Sequence, residues 1–253
     1  PAEARRRFLN WGVFHVEHES ISVWRNYRRA LGQRNALLRG RRDAEEFGFW
    51  ESELERAAVR LEGWRRRYLD ALSPHVAPLA AEFLPELGRS SLVYRPGWHT
   101  DAALSEQLSL GRPKDFMRGF TRLGPHRDDW ELTFERAPGH AYFSRGQAKL
   151  ATLICILAQV GLFRERVGES PVLCLDDLCS ELDAEHRRRV FDRLRDVGAQ
   201  VFITSAGHPS NDALPDAALF HVEQGCIRRT ESEGNTGMRY NGAFRTGKKP
   251  SDS

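Results

Sequence analysis

The stretch that decides the fold is Pro171-Val172-Leu173-Cys174-Leu175-Asp176-Asp177-Leu178-Cys179-Ser180-Glu181-Leu182-Asp183. Its first five residues form a continuous apolar run, which is typical of a short strand buried on both faces of a parallel sheet. Asp176 and Asp177 follow at once, so we expect them at the C-terminal edge of that strand. The first carboxylate can hold Mg²⁺, and the second can orient or deprotonate a water molecule beside a nucleotide γ-phosphate.

Three further features accompany this stretch in a fixed order. Ser144-Arg145-Gly146-Gln147 lies 32 residues before Asp176 and opens a long predicted helix over 145–166. The start of a helix presents backbone N–H groups, and here a hydroxyl, to a phosphate. Asp183 closes Ser180–Asp183 and is the predicted N-cap of a helix over 182–197. A second apolar strand, 200–204, ends in Thr204 and Ser205, whose hydroxyl groups can sense the same γ-phosphate.

Each feature alone has an ordinary structural explanation, since strands that end in Asp and helices capped by Ser are common. Together, in this order and spacing, they indicate the layout of an ABC-type ATPase head. The signature motif would be Ser144–Gln147, the Walker B strand Val172–Asp177, the D-loop Ser180–Asp183 and the switch strand Gln200–Ser205. The predicted class is therefore α/β, with a partly parallel sheet in the head lobe.

The first half of the chain is expected to be helical. Residues 20–87 carry apolar side chains at helical spacing, with Gly40 between two long charged helices. We expect Pro74 to interrupt the second helix, and a third helix around 76–87 to end at Gly88. This pattern predicts an arm of antiparallel helices that projects from the head lobe; an ordinary helical subdomain would give the same periodicity.

Shorter patterns complete the expected organisation. Strands are predicted at 91–94, 130–134 and 219–222, and a helix over 101–110. The charge-free apolar stretch 150–163 has 14 residues, fewer than the roughly 20 of a membrane span, and predicts a buried helix. From Cys226 onward the composition predicts disorder. Cys155 and Cys174 are expected to be small buried side chains, and no CxxC pair is present.

The composition is that of a globular protein. Of 253 residues, 40% are apolar and 29% are charged, which excludes a membrane protein, a disordered chain and a disulfide scaffold. No signal peptide is visible, and reduced cysteines fit the cytosol. Lys and Arg outnumber Asp and Glu by 15 to 11 in residues 1–72, so the first segment is a modest basic lobe that permits contact with nucleic acid.

The sequences of these motifs resemble those of the RecF family of bacterial recombinational-repair proteins, which are related to the SMC and Rad50 heads. Four further stretches share this resemblance: Arg5–Glu17, Gln33–Leu38, Gly124–Asp129 and Phe220–Glu223. Asn10 stands where the family usually has Asp. The resemblance covers residues 1–225 and implies four parts: the end of the N-terminal ATPase lobe (1–19), a mostly helical arm (20–118), the C-terminal ATPase lobe (119–225) and a disordered tail (226–253).

The resemblance implies a cytoplasmic, DNA-binding ATPase of replication, recombinational repair and the SOS response. It would form an ATP-dependent homodimer, bind single-stranded and gapped DNA, and work with RecO and RecR to help load RecA, without contact to a membrane. Asp176 would hold Mg²⁺ and Asp177 the attacking water. Ser144, Arg145, Gly146 and Gln147 would contact the ATP of the second subunit, Ser180 and Asp183 would lie in the D-loop at the dimer contact, and Thr204 and Ser205 would sense the γ-phosphate.

One departure limits this expectation. Family members carry a P-loop near the N-terminus and this sequence has none there, so we expect it to begin after that segment and to be inactive alone. Gly242–Lys249 imitates a P-loop, but its last position is Lys instead of Ser or Thr. Two alternatives stay open: another SMC- or Rad50-like head, and a non-catalytic module that binds DNA or protein.

Two weaker candidates concern histidines. The stretch His126-Arg127-Asp128-Asp129 could form a metal or acid–base cluster, although the resemblance implies a structural turn near the nucleotide site. His15 and His18 have i, i+3 spacing, but no cysteine or third histidine lies near them in the sequence to complete a metal site.

Overall fold

In a computed structural model, residues 1–40, 44–205 and 217–229 are described. The helices are α1 (Ala2–Val16), α2 (Ser20–Gly40), α3 (Ala44–Phe83), α4 (Leu104–Arg118), α5 (Arg145–Val167) and α6 (Ala184–Asp196). The strands are β1 (Ser90–Arg95), β2 (Asp129–Phe134), β3 (Leu173–Leu175), β4 (Val201–Ile203), β5 (Phe220–Glu223) and β6 (Cys226–Arg229). The chain divides into two compact units, residues 1–208 and 209–253.

A buried charge network joins α2, α3 and α4. The Arg34 side chain is fully buried and donates to Glu51 Oε1 at 3.1 Å and to Asp115 Oδ2 at 2.9 Å. Arg112 adds two hydrogen bonds to the Glu51 carboxylate, at 2.9 and 2.6 Å. Each buried charge is therefore neutralised by partners from a neighbouring helix, which fixes how the three helices pack.

The prediction that Pro74 interrupts the second helix is wrong. α3 runs unbroken from Ala44 to Phe83 through Pro74 and Pro78. Both prolines are on the exposed side of the helix, where the carbonyl groups that lose a hydrogen-bond partner can be solvated. The opposite side buries a continuous apolar face, which holds the helix together: Leu72, Val76, Leu79, Ala80 and Phe83.

The second half of α3 packs against α1 and α5. Gln159 on α5 donates to Tyr68 Oη at 2.9 Å and to the carbonyl oxygen of Phe8 at 3.1 Å. Gly12 of α1 lies against the Tyr68 ring, since an added Cβ would be 2.1 Å from Tyr68 Cζ. Only glycine permits α1 to approach Tyr68 so closely. The C-terminal half of the arm helix α3 is therefore packed into the core.

α5 is the central helix of this core. It is long and apolar enough to satisfy the composition of a membrane span, but most of its apolar side chains are buried in the protein, among them Leu153, Ile154 and Leu157. The buried helix expected from 150–163 is confirmed. The helix expected over 101–110 is α4, which begins later, at Leu104, and continues to Arg118.

The sheets are small. β1 pairs with β2 in antiparallel register, with Ser90 opposite Phe134. β3 pairs with β4 in parallel, with Leu173 opposite Val201. The α/β class with a partly parallel sheet is confirmed.

Two expectations about burial are wrong. Leu173 and Leu175 are buried, but Cys174 between them and Val172 before them are exposed. Successive side chains of a strand point to opposite faces, so β3 buries one face only within the described chain. An all-apolar sequence does not reveal this difference, because both faces have the same character.

The second unit contains an antiparallel hairpin of β5 and β6, with Phe220 opposite Arg229. Its strand residues are all exposed. The expected disorder from Cys226 onward is therefore wrong for Cys226–Arg229, where the hairpin's second strand forms. Residues 230–253, with the P-loop-like Gly242–Lys249, lie outside the described residues.

Candidate nucleotide site

The signature segment starts α5 through a reciprocal cap. Ser144 Oγ accepts from the Gln147 backbone N–H at 3.2 Å, and the Ser144 N–H donates to Gln147 Oε1 at 3.0 Å. This capping box satisfies two N–H groups that have no partner in the helix. The amides of Arg145 and Gly146 between them belong to the first turn, whose N–H groups point out of the helix and suit an anion.

The two carboxylates and the switch hydroxyl meet where β3 and β4 end. Thr204 Oγ1 donates to the Asp176 carboxylate and accepts from the Asp177 backbone N–H at 2.9 Å. The Thr204 N–H donates to the Leu175 carbonyl at 3.0 Å, continuing the parallel ladder. Thr204 thereby fixes the backbone that carries both carboxylates. Ser205, the next residue, is exposed at the same edge.

Lys149 connects this edge to the signature helix, and sequence reasoning missed it. Its ammonium donates to Ser180 Oγ at 2.7 Å, to the Ser180 carbonyl at 2.8 Å and to the Asp177 carbonyl. The only available signal was its place in α5, one turn after the predicted cap. Lys149 therefore binds Asp177 and Ser180 to the start of α5 through three acceptors.

The same loop touches the first turn of α5 directly. A Cβ added to Gly146 would be 3.0 Å from the Glu181 carbonyl oxygen, and Arg145 lies 4.0 Å from the Glu181 carboxylate. Asp177 and Glu181 adopt left-handed backbone angles, with φ of 47° and 63°. The loop thus reverses tightly enough to bring its carbonyl groups to the helix, and a glycine at 146 lets them approach.

Asp183 has a clear structural role, and the N-cap prediction is confirmed. Its Oδ1 accepts from the His186 N–H at 2.8 Å, while Oδ2 lies 2.7 Å from His186 Nδ1. These partners stabilise the charged form and lower the pKa of the Asp183 carboxyl. The side chain also remains largely exposed, so the cap does not remove it from the surface.

The His126–Asp129 turn is built into the core. The fully buried Asp128 carboxylate pairs with Arg65 and accepts from Tyr94 Oη at 2.6 Å. Its other oxygen, Oδ1, is the one buried side-chain polar atom without a hydrogen-bond partner among the described residues. Burial raises the Asp128 pKa despite Arg65. Arg5 donates two hydrogen bonds to the Asp129 carboxylate, at 2.8 and 2.6 Å. The turn therefore has a structural role, because it links α1 to β2.

The histidine metal site has no support in the structure. His15 packs against the rings of Trp11 and Phe163, with centroids 4.3 and 5.2 Å away. Within the described ranges, no group of three or more His, Cys, Asp or Glu side chains is arranged to hold a metal ion. Magnesium at Asp176 would therefore need phosphate oxygens or water as its remaining ligands, which is its usual coordination in nucleotide sites.

Several known proteins are similar to this chain, although no family model matches it. Curated proteins named DNA replication and repair protein RecF are 45% identical over 227 residues in Stenotrophomonas maltophilia and 46% over 230 in Xanthomonas euvesicatoria. The Shewanella protein of that name is 35% identical over 228 residues. These alignments cover 89%, 90% and 89% of this chain, but 62%, 62% and 63% of the relatives. The chain thus spans less than two thirds of their length.

Two solved structures share the fold. One is described as the recombination mediator protein RecF with ATP in the RecFOR pathway; its TM-score is 0.75 at 21% identity, over 91% of this chain and 64% of that one. The other, RecF with ATPrS in the same pathway, has a TM-score of 0.74 at 20% identity, with the same coverage. At this identity the likeness concerns the fold.

Proposed function

The chain belongs to the RecF family of DNA replication and repair proteins, and from this premise we propose that it forms the arm and the C-terminal lobe of an ATP-dependent, DNA-binding repair protein. The observation that carries the proposal is the set of hydrogen bonds from Thr204 and Lys149. Through them, motifs that lie up to 60 residues apart, from Ser144 to Thr204, adjoin one another in the fold.

The carboxylates have distinct proposed roles. Asp176 offers an exposed carboxylate oxygen at a strand end, which suits Mg²⁺ accompanied by ATP phosphates. ATP with Mg²⁺ supplies the electrophilic γ-phosphorus when bound. Asp177 orients the water molecule that attacks the γ-phosphorus, or accepts a proton from it. Thr204 accepts a hydrogen bond from the Asp177 amide, which fixes the backbone that carries the Asp177 carboxylate. Thr204 and Ser205 would also respond to the γ-phosphate.

The signature segment has its proposed role in a homodimer. Ser144, Arg145, Gly146 and Gln147 would present the start of α5 to the ATP of a second copy, where helix N–H groups and the exposed Arg145 guanidinium favour an anion. Ser180 and Asp183 would lie at the contact between the copies. The relatives in the two solved structures are described with ATP and ATPrS, which supports a nucleotide at this fold.

The wider role follows from the family. We place the protein in the cytoplasm, on single-stranded or gapped DNA, with RecO and RecR as partners in loading RecA during recombinational repair and the SOS response. The name of the curated relatives supports the role in replication and repair, and the RecFOR pathway in the description of the solved structures supports RecO and RecR as partners.

The decisive experiment replaces Asp177 by Asn in a chain extended before Pro1 by the N-terminal segment of the Stenotrophomonas relative. Asn tolerates the left-handed backbone that residue 177 adopts, so the change removes a charge without adding strain. We expect ATP turnover to fall by about 100-fold or more while ATP affinity changes by less than about threefold. Turnover is measured by phosphate release and affinity by titration with a fluorescent ATP analogue.

The extended chain with Asp177 intact is the positive control, and the 253-residue chain alone is the negative one. Turnover that is unchanged by the substitution would exclude the role of Asp177. Turnover by the 253-residue chain alone would show that the site needs no further phosphate-binding segment. An extended chain that folds and binds DNA without any turnover would favour the non-catalytic alternative.

A further inference from the structure

Helix α2 has an unusual charge distribution. Its sequence from Ser20 to Gly40 contains no acidic residue. Arg25, Arg28 and Arg29 lie on its exposed side, while its other side is buried through residues such as Tyr27 and Arg34. The helix therefore presents these three cations, and Arg39 in its last turn, to solvent, with none of the carboxylates that usually accompany them.

Several exposed arginines on the neighbouring helices α1 and α3 are paired. Arg56 lies 2.9 Å from Glu53, Arg67 lies 3.8 Å from Glu17, and Arg7 lies 2.5 Å from Glu3. Within residues 1–40, 44–205 and 217–229, by contrast, Arg25, Arg28 and Arg29 form no ion pair. A solvated helix face of the ordinary kind mixes both signs of charge. α2 differs from the other described α-helices because each of them contains at least one acidic residue.

The basic cluster at the start of the chain is not an equivalent surface. Arg5 is bound to Asp129, Arg6 donates to the Asp128 carbonyl at 2.9 Å, and Arg7 pairs with Glu3. These three cations hold α1 to β2 or to their own helix. The excess positive charge of the first segment is consequently available on α2 instead.

The shape of the α2 face suits a close approach. Arg25 and Arg29 are one turn apart, a rise of about 6 Å, and Arg28 lies between them. Gly32 follows on the same side, and a Cβ added there would have no atom within 4 Å. None of the exposed large apolar side chains of the described residues lies on α2, so this face has nothing to insert into a lipid bilayer.

From this pattern we propose that Arg25, Arg28 and Arg29 on the outer face of α2 bind the phosphate backbone of DNA. The inference rests on the proposed DNA-binding function and assigns it a surface. Guanidinium groups pair with phosphate oxygens in two-bond geometry, and three of them within one helical turn match the close spacing of phosphates along a strand. The contact positions the arm on DNA without reading its sequence.

The test uses the 253-residue chain with two triple variants of equal charge. One carries Arg25→Ala, Arg28→Ala and Arg29→Ala; the matched control carries Arg7→Ala, Arg56→Ala and Arg67→Ala, which removes exposed but paired arginines. Affinity for labelled gapped DNA is titrated at several salt concentrations. For the α2 variant we expect affinity to fall at least about tenfold at low salt, and the slope of log K against log salt to decrease by about 2 to 3.

The control variant distinguishes a loss of affinity caused by the α2 surface from one caused by the lower net charge. We expect its affinity to change by less than about threefold, and both variants to keep the melting temperature of the parent. Equal losses in the two variants, with the parent binding DNA, would overturn the α2 surface and leave DNA binding intact. No binding by the parent would overturn both. Binding of anionic phospholipid vesicles through these arginines, with DNA affinity unchanged, would overturn the assignment to nucleic acid.

Discussion

His126 shows at the scale of one residue how burial selects a protonation state. Its Nε2 lies 3.0 Å from the Thr121 carbonyl, which can only accept, so this nitrogen carries the proton. Nδ1 then accepts from Tyr27 Oη at 2.6 Å, and burial raises the Tyr27 pKa so that the hydroxyl keeps its hydrogen. A second proton on the ring would break this bond. Burial, opposed by the Thr121 bond but aided by nearby Arg127, Arg6 and Arg65, lowers the His126 pKa to about 4.

This arrangement predicts loss of stability in mild acid. Between pH 6.5 and about 4 the unfolded chain binds a proton at His126 that the folded chain excludes, so stability falls as pH falls. From pH 7 to pH 5 this histidine alone should cost about 2 kcal/mol of unfolding free energy. Urea titrations at both pH values measure it. The His126→Gln variant can keep both hydrogen bonds without titrating, and its pH dependence should be weaker by that amount; equal pH dependence in the two proteins would contradict the prediction.

At the scale of elements, Lys149 makes the hydrogen bonds that hold the loop 177–181 to α5, beside the contacts of Gly146 and Arg145 with Glu181. Replacing Lys149 by Met keeps the aliphatic length and removes three hydrogen bonds. We expect a loss of about 1–2 kcal/mol in unfolding free energy and faster amide hydrogen exchange across residues 177–181. Thermal unfolding and exchange mass spectrometry are the measurements.

Lys114 supplies the matched control, because it is exposed on α4 and no described side chain binds it. Lys114→Met removes the same charge and should alter neither stability nor exchange in the loop. If Lys149→Met leaves exchange over 177–181 unchanged, the loop is held by Thr204 and the Gly146 contact, and Lys149 has no positioning role.

The elements also show which features a sequence can predict. Ser144 and Asp183 are recognisable caps because capping depends on residues within one helical turn. Pro74 misled the prediction because a buried apolar face on the far side of α3 outweighs the lost hydrogen bond, and burial is a tertiary property. The bonds of Lys149 and Thr204 depend on loops that meet only in the fold. The caps at the starts of α5 and α6 could therefore be predicted, but not the hydrogen bonds by which Lys149 and Thr204 connect the motifs.

At the scale of the whole molecule, the core and the charge are unevenly distributed. Among the described residues, every buried apolar side chain lies between Leu9 and Leu194. The strands of the β5–β6 hairpin are exposed throughout. The sequence indicated a basic first segment. Only the structure shows that the arginines of α1 are bound within the fold, while those on the outer face of α2 are exposed to solvent.

This distribution predicts that the first unit folds without the second. A chain that ends at His208 keeps all the buried apolar residues described, so its melting temperature should stay within about 2 °C of the parent. A control that ends at Ser180 loses α6 and with it Val190, Phe191 and Leu194, each at most 5% exposed. Burying such side chains contributes about 1.5–3 kcal/mol each, so the control should melt at least about 10 °C lower. Calorimetry of the three chains measures both effects, and a first unit that melts as low as the control would place part of the core in residues 209–253.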